Sequence, residues 1–296
     1  FAEYFGIPIA LTLRGIDCLP FSHPLHAGFF GTYGLRGANF TIANADLVLC
    51  LGSRLDVRQT GTSPDSFARE AKKIVVDIDP EEINKRVKAD IAISCDVKKV
   101  LEELLKKKKT IKRADYSQWR SKVHEWKIKY PACPPEYYKK AEVNPYVFMK
   151  ALSDAAPAGE IIIGDTGANL MWELQTWEVK KDQRLFSAGG MSPMGYALPA
   201  AIGASVALKN KRIICTIGDG GMQLNIQELQ TIAYHKLPIK IFIINNRCYG
   251  MIKQFQRLYL KNNFQATDCH SGYGTPDFIK AAEAYGLESS LIKSHK

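Results

Sequence analysis

Short apolar runs that stop at glycine or aspartate alternate along this chain with stretches whose apolar residues recur at helical spacing. Ile7–Leu11, Leu47–Leu51, Lys73–Val76 and Asp90–Ser94 have the length and β-branched content of strands. Asn39–Ala45 and Val97–Leu105 read as helices between them, and His26–Gly37 reads as a loop with four glycines, HAGFFGTYGLRG. Tyr116–Tyr130 puts Trp119, Val123 and Trp126 on one face of an amphipathic helix, a packing pattern. A new helix opens at Asn144-Pro145, with Asn as cap and Pro in the first turn. Glu160–Ile163 then runs into the turn Gly164-Asp165-Thr166-Gly167-Ala168-Asn169, and Phe186–Gly190 opens a third glycine turn ahead of a helix rich in small residues. Strands alternating with helices predict parallel sheets, here in two three-layer α/β domains. The expected boundaries are 1–105, a basic linker over 106–143 marked by Pro131, Pro134 and Pro135, and 144–296.

The stretch Arg212–Gln254 carries the most chemistry. Ile213–Ile217 is a strand that stops at Gly218-Asp219-Gly220, a helix is expected from near Gln223, and Ile239–Ile244 is a second strand ending at Asn245-Asn246. In such a βαβ unit the strands are parallel. Asp219 and Asn246 then both sit just past carboxyl ends of strands, the edge where open α/β sheets bind ligands. A carboxylate, an amide oxygen and glycine-exposed N–H groups meet there. Those are surroundings suited to Mg²⁺ beside a phosphate.

Composition narrows the alternatives. Of 296 residues, 46% are apolar and 24% charged, the balance of a globular chain. No run of eighteen apolar residues occurs, so no membrane span is expected. The net charge of +10 owes part to Lys106–Lys109, but basic residues are not interleaved with aromatics, so no nucleic-acid partner is expected. Seven scattered cysteines without a CxxC point to reduced thiols and a cytoplasmic location. No GxGxxG turn follows a strand, which sets aside an NAD-dependent dehydrogenase.

A lone Gly-Asp-Gly is common in turns. Here 24 residues, Gly221–Ile244, separate it from Asn245-Asn246, room for one helix and one returning strand. With GDGGMQLNIQELQTI and NNRCYGMIKQ around it, the chain resembles the thiamin-diphosphate (ThDP)-dependent acetohydroxyacid (acetolactate) synthases, large catalytic subunit. The landmarks GTYG (Gly31–Gly34), GSRLDVRQTG (Gly52–Gly61) and VDIDPEEINK (Val76–Lys85) resemble the central, Rossmann-like domain of the same family.

The resemblance implies that Asp219 and Asn246 bind Mg²⁺ through side-chain oxygens and Cys248 through its backbone carbonyl. It places Thr166, Gly167, Ala168, Asn169, Gly220 and Gly221 against the diphosphate, makes Met194 the apolar prop beneath the cofactor, and lines the pocket with Gly250 and Met251. Two departures stand out. Ala168-Asn169 replaces the family's Gln-His pair, and Phe255 stands where a Trp typically shapes the acceptor pocket. In the central domain Gly31, Gly34, Arg54 and Asp77 would contact FAD, although relatives keep this domain with no flavin, so both alternatives stand.

The implied function is decarboxylation of pyruvate with carboligation to a second 2-oxo acid, by a homodimer or homotetramer with a possible regulatory subunit. The family's activating Glu lies on a separate pyrimidine-binding domain. No catalytic residue is therefore assigned here, and the chain alone is expected to be inactive and incomplete at both ends. Alternatives are pyruvate oxidase, glyoxylate carboligase, a 2-oxo acid decarboxylase, or a non-catalytic ThDP- or nucleotide-binding paralogue.

Overall fold

The computed structural model describes residues 1–294. They form two compact units, Phe1–Ala132 and a second from Cys133 onward. Every pairing between named strands is parallel.

The first unit opens with a one-turn helix α1 (Ala2–Phe5) and a two-stranded sheet, β1 (Ile9–Leu11) with β2 (His26–Phe29). β2 falls within the expected glycine loop. All four of its residues are buried, and burial beside β1 outweighs the weak strand preference of its Ala-Gly pair. Helix α2 (Arg36–Ala43) follows. Next come β3 (Leu47–Leu51), the short helix α3 (Val57–Thr60), β4 (Lys72–Asp77) and β5 (Ile91–Ser94). These three strands form a sheet in the order β3-β4-β5. Helix α4 (Val97–Lys106) is capped by Asp96, whose carboxylate accepts the Lys98 N–H at 2.7 Å.

Helix α5 (Ser117–Lys129) lies within the expected linker, yet it packs on α2 inside the first unit. Phe40 meets the rings of Trp126 and Tyr130 at 5.8 and 5.4 Å. Gly37 permits the approach, since a Cβ there would stand 3.1 Å from the Trp126 carbonyl carbon.

The second unit begins with α6 (Pro145–Ala155), where the Asn144 side chain accepts the Tyr146 N–H at 2.9 Å. Then follow β6 (Ile161–Gly164), α7 (Ala168–Thr176), β7 (Arg184–Phe186) and α8 (Ala197–Ala207). β8 (Ile213–Gly218) leads into α9 (Asp219–Leu224), and α10 (Glu228–His235) precedes β9 (Ile239–Ile244). Helices α11 (Gly250–Tyr259) and α12 (Phe278–Ala284) complete the unit.

The sheet order is β7-β6-β8-β9. β6 and β8 are buried almost throughout, as befits central strands covered on both faces. Ile161, Ile163, Ile213, Cys215 and Ile217 pack with Ala197, Leu198 and Ala201 of α8 and with Met222, Leu229 and Ile232. The small residues of α8 let its backbone lie close to the sheet. The crossover from β8 to β9 is two helices rather than one. It begins at Asp219 and breaks at Asn225–Gln227, where the Asn225 side chain donates to the Gly195 carbonyl at 2.8 Å.

Candidate functional site

Gly164 pairs with Thr216 and Gly218 with Ile244, so β6, β8 and β9 finish on one edge. The turns leaving that edge carry Asp165–Asn169, Asp219–Gly221 and Asn245–Gly250. The segment after β7 joins them through hydrogen bonds at Gly195 and Ala197. The sheet thus gathers chain segments that are up to 85 residues apart, from Asp165 to Gly250.

The Asn246 side chain meets two oxygens at this edge. The Asn246 amide oxygen stands 2.8 Å from the Cys248 carbonyl oxygen and 3.1 Å from Asp219 Oδ1. Arg247 takes a left-handed backbone (φ 54) that folds Cys248 back over Asn246. Oxygens at such separations repel unless something positive lies among them. Turning the amide by half a rotation puts its NH₂ there, donating to both neighbours. A cation bound there would instead draw the amide oxygen toward it. Adjacent ligands of an octahedral Mg²⁺, each at about 2.1 Å, stand about 3 Å apart. The donor set of one carboxylate, one amide and one peptide carbonyl is hard and oxygen-only, as Mg²⁺ prefers. Among the described residues no group of three or more His, Cys, Asp or Glu side chains is placed to hold a metal ion.

Asp219 is 2% exposed. Burial raises its carboxyl above the usual range, while hydrogen bonds from the Tyr273 hydroxyl and from backbone N–H groups, including those of Gly220 and Arg247, pull it down. A divalent cation alongside would favour the ionised form. The Tyr273 hydroxyl donates to Asp219 Oδ2 at 3.0 Å, and its ring lies 4.3 Å from that of Tyr249. Burial first, and the Asp219 charge second, push the Tyr273 phenol up, so it remains a donor at neutral pH.

Asp165 is the hub beneath the turns. It is fully buried, and its two oxygens accept the N–H groups of Gly195 and Ala197, each at 3.0 Å. Burial raises its pKa, opposed by backbone N–H groups of Ala197, Gly195, Thr166 and Tyr196. This carboxylate therefore fixes the segment that presents Met194.

The glycines have identifiable neighbours. A Cβ on Gly220 would overlap the Tyr249 ring and come within 3.2 Å of Met194 Cε, and one on Gly221 would overlap the Asp165 carboxylate. A Cβ on Gly250 would stand 3.2 Å from Asn246 Nδ2 and 3.5 Å from the Ala168 methyl. Ala168, Met194, Gly220, Gly221, Asn246, Cys248 and Gly250 are thus drawn into one cluster with Asp165 and Asp219. Gly167 precedes α7 with a positive φ of 156, and Asn169 is buried, its amide donating to the Asp165 carbonyl at 3.0 Å. The Thr166 hydroxyl is buried with no hydrogen-bond partner. Met251 is half-buried on α11, while Phe255 is 55% exposed, its ring tilted against that of Tyr259 with centroids 4.9 Å apart.

The residues tied to a flavin lie in the first unit, and each has an internal neighbour. A Cβ on Gly31 would overlap the Arg58 carbonyl, and one on Gly34 would overlap the Phe30 backbone. Arg54 pairs with Glu82 at 3.4 Å, and the buried Asp77 accepts the Asp79 N–H at 3.0 Å.

Sequence reasoning assigned no role to Asp165, Tyr249 or Tyr273. Asp165 carried a visible signal, a carboxylate directly after a strand whose neighbours are buried. Tyr273 carried none, because it lies 54 residues beyond Asp219 in the chain.

Two family models match this chain. The central domain of thiamine pyrophosphate enzymes matches residues 1–104, and their C-terminal TPP binding domain matches residues 165–296. The chain is 37% identical over 299 residues to the probable acetolactate synthase large subunit of Methanocaldococcus jannaschii, covering 99% of this chain and 50% of that protein. It is 38% identical over 299 residues to the acetolactate synthase large subunit of Cyanidium caldarium, with 100% and 50% covered. With the acetolactate synthase isozyme 2 large subunit of Escherichia coli it shares 31% identity over 289 residues, with 97% and 50% covered. The chain spans about half the length of these curated relatives. The two domain matches, joined to the parallel α/β architecture, place this chain in the family of thiamine pyrophosphate enzymes, of which it carries the central and the TPP-binding domains.

Proposed function

We propose that this chain is the cofactor-holding part of an acetolactate synthase, which decarboxylates pyruvate and joins the two-carbon unit to a second 2-oxo acid. The observation that carries the proposal is that the Cys248 carbonyl oxygen and Asp219 Oδ1 both lie against the Asn246 side-chain amide, at 2.8 and 3.1 Å, on one sheet edge. The names of the relatives support the choice among ThDP chemistries.

In this reading Asp219, Asn246 and Cys248 would hold Mg²⁺, which would supply positive charge for the cofactor's diphosphate. Thr166–Asn169 and the backbone at Gly220 and Gly221 border that diphosphate. The unpartnered Thr166 hydroxyl is a donor left over for a phosphate oxygen. Met194, held by the Asp165 latch, supplies apolar bulk beside Gly250 and Met251. Bound there, ThDP supplies the electron sink that decarboxylation of a 2-oxo acid requires. Phe255, exposed on α11, is free to border an acceptor substrate.

The proposal includes a homo-oligomer and a smaller regulatory subunit, the latter suggested by the name "large subunit" of the relatives. FAD in the central domain stays an open alternative in this proposal, with Gly31, Gly34, Arg54 and Asp77 as the residues that would contact it. A flavin spectrum of the purified protein decides that point.

The test uses protein expressed from its full reading frame, with ThDP, Mg²⁺ and ¹³C-pyruvate, its products read by NMR. Acetolactate is the expected product. Acetate or acetaldehyde would move the protein to an oxidase or decarboxylase within the same family. Cofactor binding without pyruvate consumption would indicate another 2-oxo acid, such as the substrate of a glyoxylate carboligase, or a non-catalytic paralogue.

A further inference from the structure

Asp219 has two carboxylate oxygens, of which Oδ1 faces the Asn246 side chain. What Oδ2 does decides how that carboxylate is aimed. It accepts the hydroxyl of Tyr273 at 3.0 Å. The same phenolic oxygen accepts Gln223 Nε2 at 3.1 Å, from the residue four positions after Asp219 on α9. With its lone pair engaged by that amide, the phenol turns its one proton toward Asp219. The ring is 8% exposed and pressed against Tyr249, which also fills the space above Gly220.

Tyr273 is delivered by a turn, 265–273, that is knotted on itself and tied to α11. The Asp268 carboxylate accepts the N–H groups of His270 and Ser271 at 3.1 and 3.0 Å, and the Ser271 hydroxyl at 2.9 Å. The Tyr273 N–H donates to the Asp268 carbonyl at 2.8 Å. Lys253 of α11 reaches Asp268 Oδ2 at 2.6 Å, and the Tyr249 N–H donates to the Thr267 carbonyl at 2.9 Å. Gln256, also on α11, donates to the Gln265 carbonyl at 3.1 Å and accepts the Thr267 hydroxyl at 3.1 Å. α11 itself follows directly from Asn246–Cys248. One turn therefore spans both halves of the oxygen triad: it is bonded to the helix behind Asn246 and Cys248, and it reaches across to Asp219.

We propose that Tyr273 is a positioning residue for Asp219, holding Oδ2 so that Oδ1 stays aimed at the Asn246 side chain, and that the 265–273 turn is the strap that keeps it there. The proposal rests on reading those three oxygens as a cation site. It extends that reading to a residue outside the ligand set and explains why the chain after α11 folds back over the edge. Residues that orient a metal ligand through a hydrogen bond commonly change affinity by about 10- to 100-fold when removed.

The test is Mn²⁺ binding to the protein expressed from its full reading frame, with ThDP present, read from the electron paramagnetic resonance signal of free Mn²⁺. Wild type is expected to bind, Asp219→Ala to lose binding, and Tyr273→Phe to bind about tenfold more weakly, with full occupancy regained at excess Mn²⁺. The unfolding midpoint of metal-free protein is recorded alongside, because a merely structural role would lower that midpoint and leave the Mn²⁺ constant in place. Should Tyr273→Phe fold poorly, Lys253→Met, which keeps the phenol but frees the strap from α11, is expected to shift the constant in the same direction. Wild-type binding with an unchanged constant in the folded variant overturns the proposal. Absence of Mn²⁺ binding in wild type overturns the cation-site reading beneath it.

Discussion

Glu173 makes a prediction that depends on no ligand. It lies on α7, is fully buried, and its Oε2 accepts the Thr216 hydroxyl at 2.9 Å. Its Oε1 is buried with no hydrogen-bond partner. Gly164 is shaped around it, since a Cβ there would overlap Oε2. No positive charge acts on it: burial and the Thr216 hydrogen bond are the influences on its carboxyl. Burial therefore lifts the carboxyl from 4.5 to about 8, with the Thr216 hydrogen bond opposing only in part. The native state thus holds a proton that the unfolded chain releases above pH 4.5. Stability is greatest below that pH and falls as pH rises, levelling off only above about pH 8. At about 1.36 kcal/mol per pH unit, the loss reaches about 3 kcal/mol by pH 7 and about 5 kcal/mol in full. Glu173→Gln keeps the shape and the acceptor for Thr216 but cannot titrate. Its stability should gain on wild type by about 3 kcal/mol between pH 4.5 and pH 7. Because two units unfold in one chain, the assay is hydrogen exchange of the β8 amides by mass spectrometry, which reads this domain's own opening. Parallel pH profiles for the two proteins would refute the reasoning.

Other consequences are equally direct. Asp165→Asn turns an NH₂ toward one of the two N–H groups that the carboxylate now accepts. A loss of about 1–3 kcal/mol is expected, with faster exchange at residues 194–197, and unchanged exchange there would remove the latch role. Gly220→Ala pushes the Tyr249 ring from its seat, and thermal unfolding should show a cost of about 1–3 kcal/mol. Phe255→Trp adds bulk and an indole N–H at an exposed position of α11. The ratio of products from mixed pyruvate and 2-oxobutyrate should shift toward 2-oxobutyrate, and an unchanged ratio would separate Phe255 from the acceptor pocket.

The parts of the fold that were legible are those where burial and sequence period agree. The β-branched runs of β6 and β8, with Gly164 and Gly218 at their ends, declare central parallel strands, and the edge they define follows from topology. The spacing from Gly220 to Asn245 placed Asp219 and Asn246 at that edge. β2 was not legible, because its Ala-Gly pair carries little strand preference and only pairing with β1 makes it a strand. α5 was read correctly as a helix but set in a linker, because its attachment to α2 depends on Gly37 meeting Trp126 across almost ninety residues. The break between α9 and α10 was invisible for the same reason, since Asn225 answers to Gly195. The need for glycine at 220 and 221 was legible only in part, since a Cβ at these positions would meet the Tyr249 ring and the Asp165 carboxylate, both distant in sequence. What sequence could not supply was the second layer of the site, the tertiary contacts of Asp165, Tyr273 and Glu173.

The central claim is that three oxygens on one sheet edge hold a divalent cation and, through it, a diphosphate. Calorimetric titration of ThDP into the protein expressed from its full reading frame tests it most directly, with and without Mg²⁺, for wild type and Asp219→Ala. Mg²⁺-dependent binding that disappears in Asp219→Ala is the predicted result, because the only anionic ligand of the triad is gone. Binding of equal strength without Mg²⁺, or unchanged in Asp219→Ala, would contradict it.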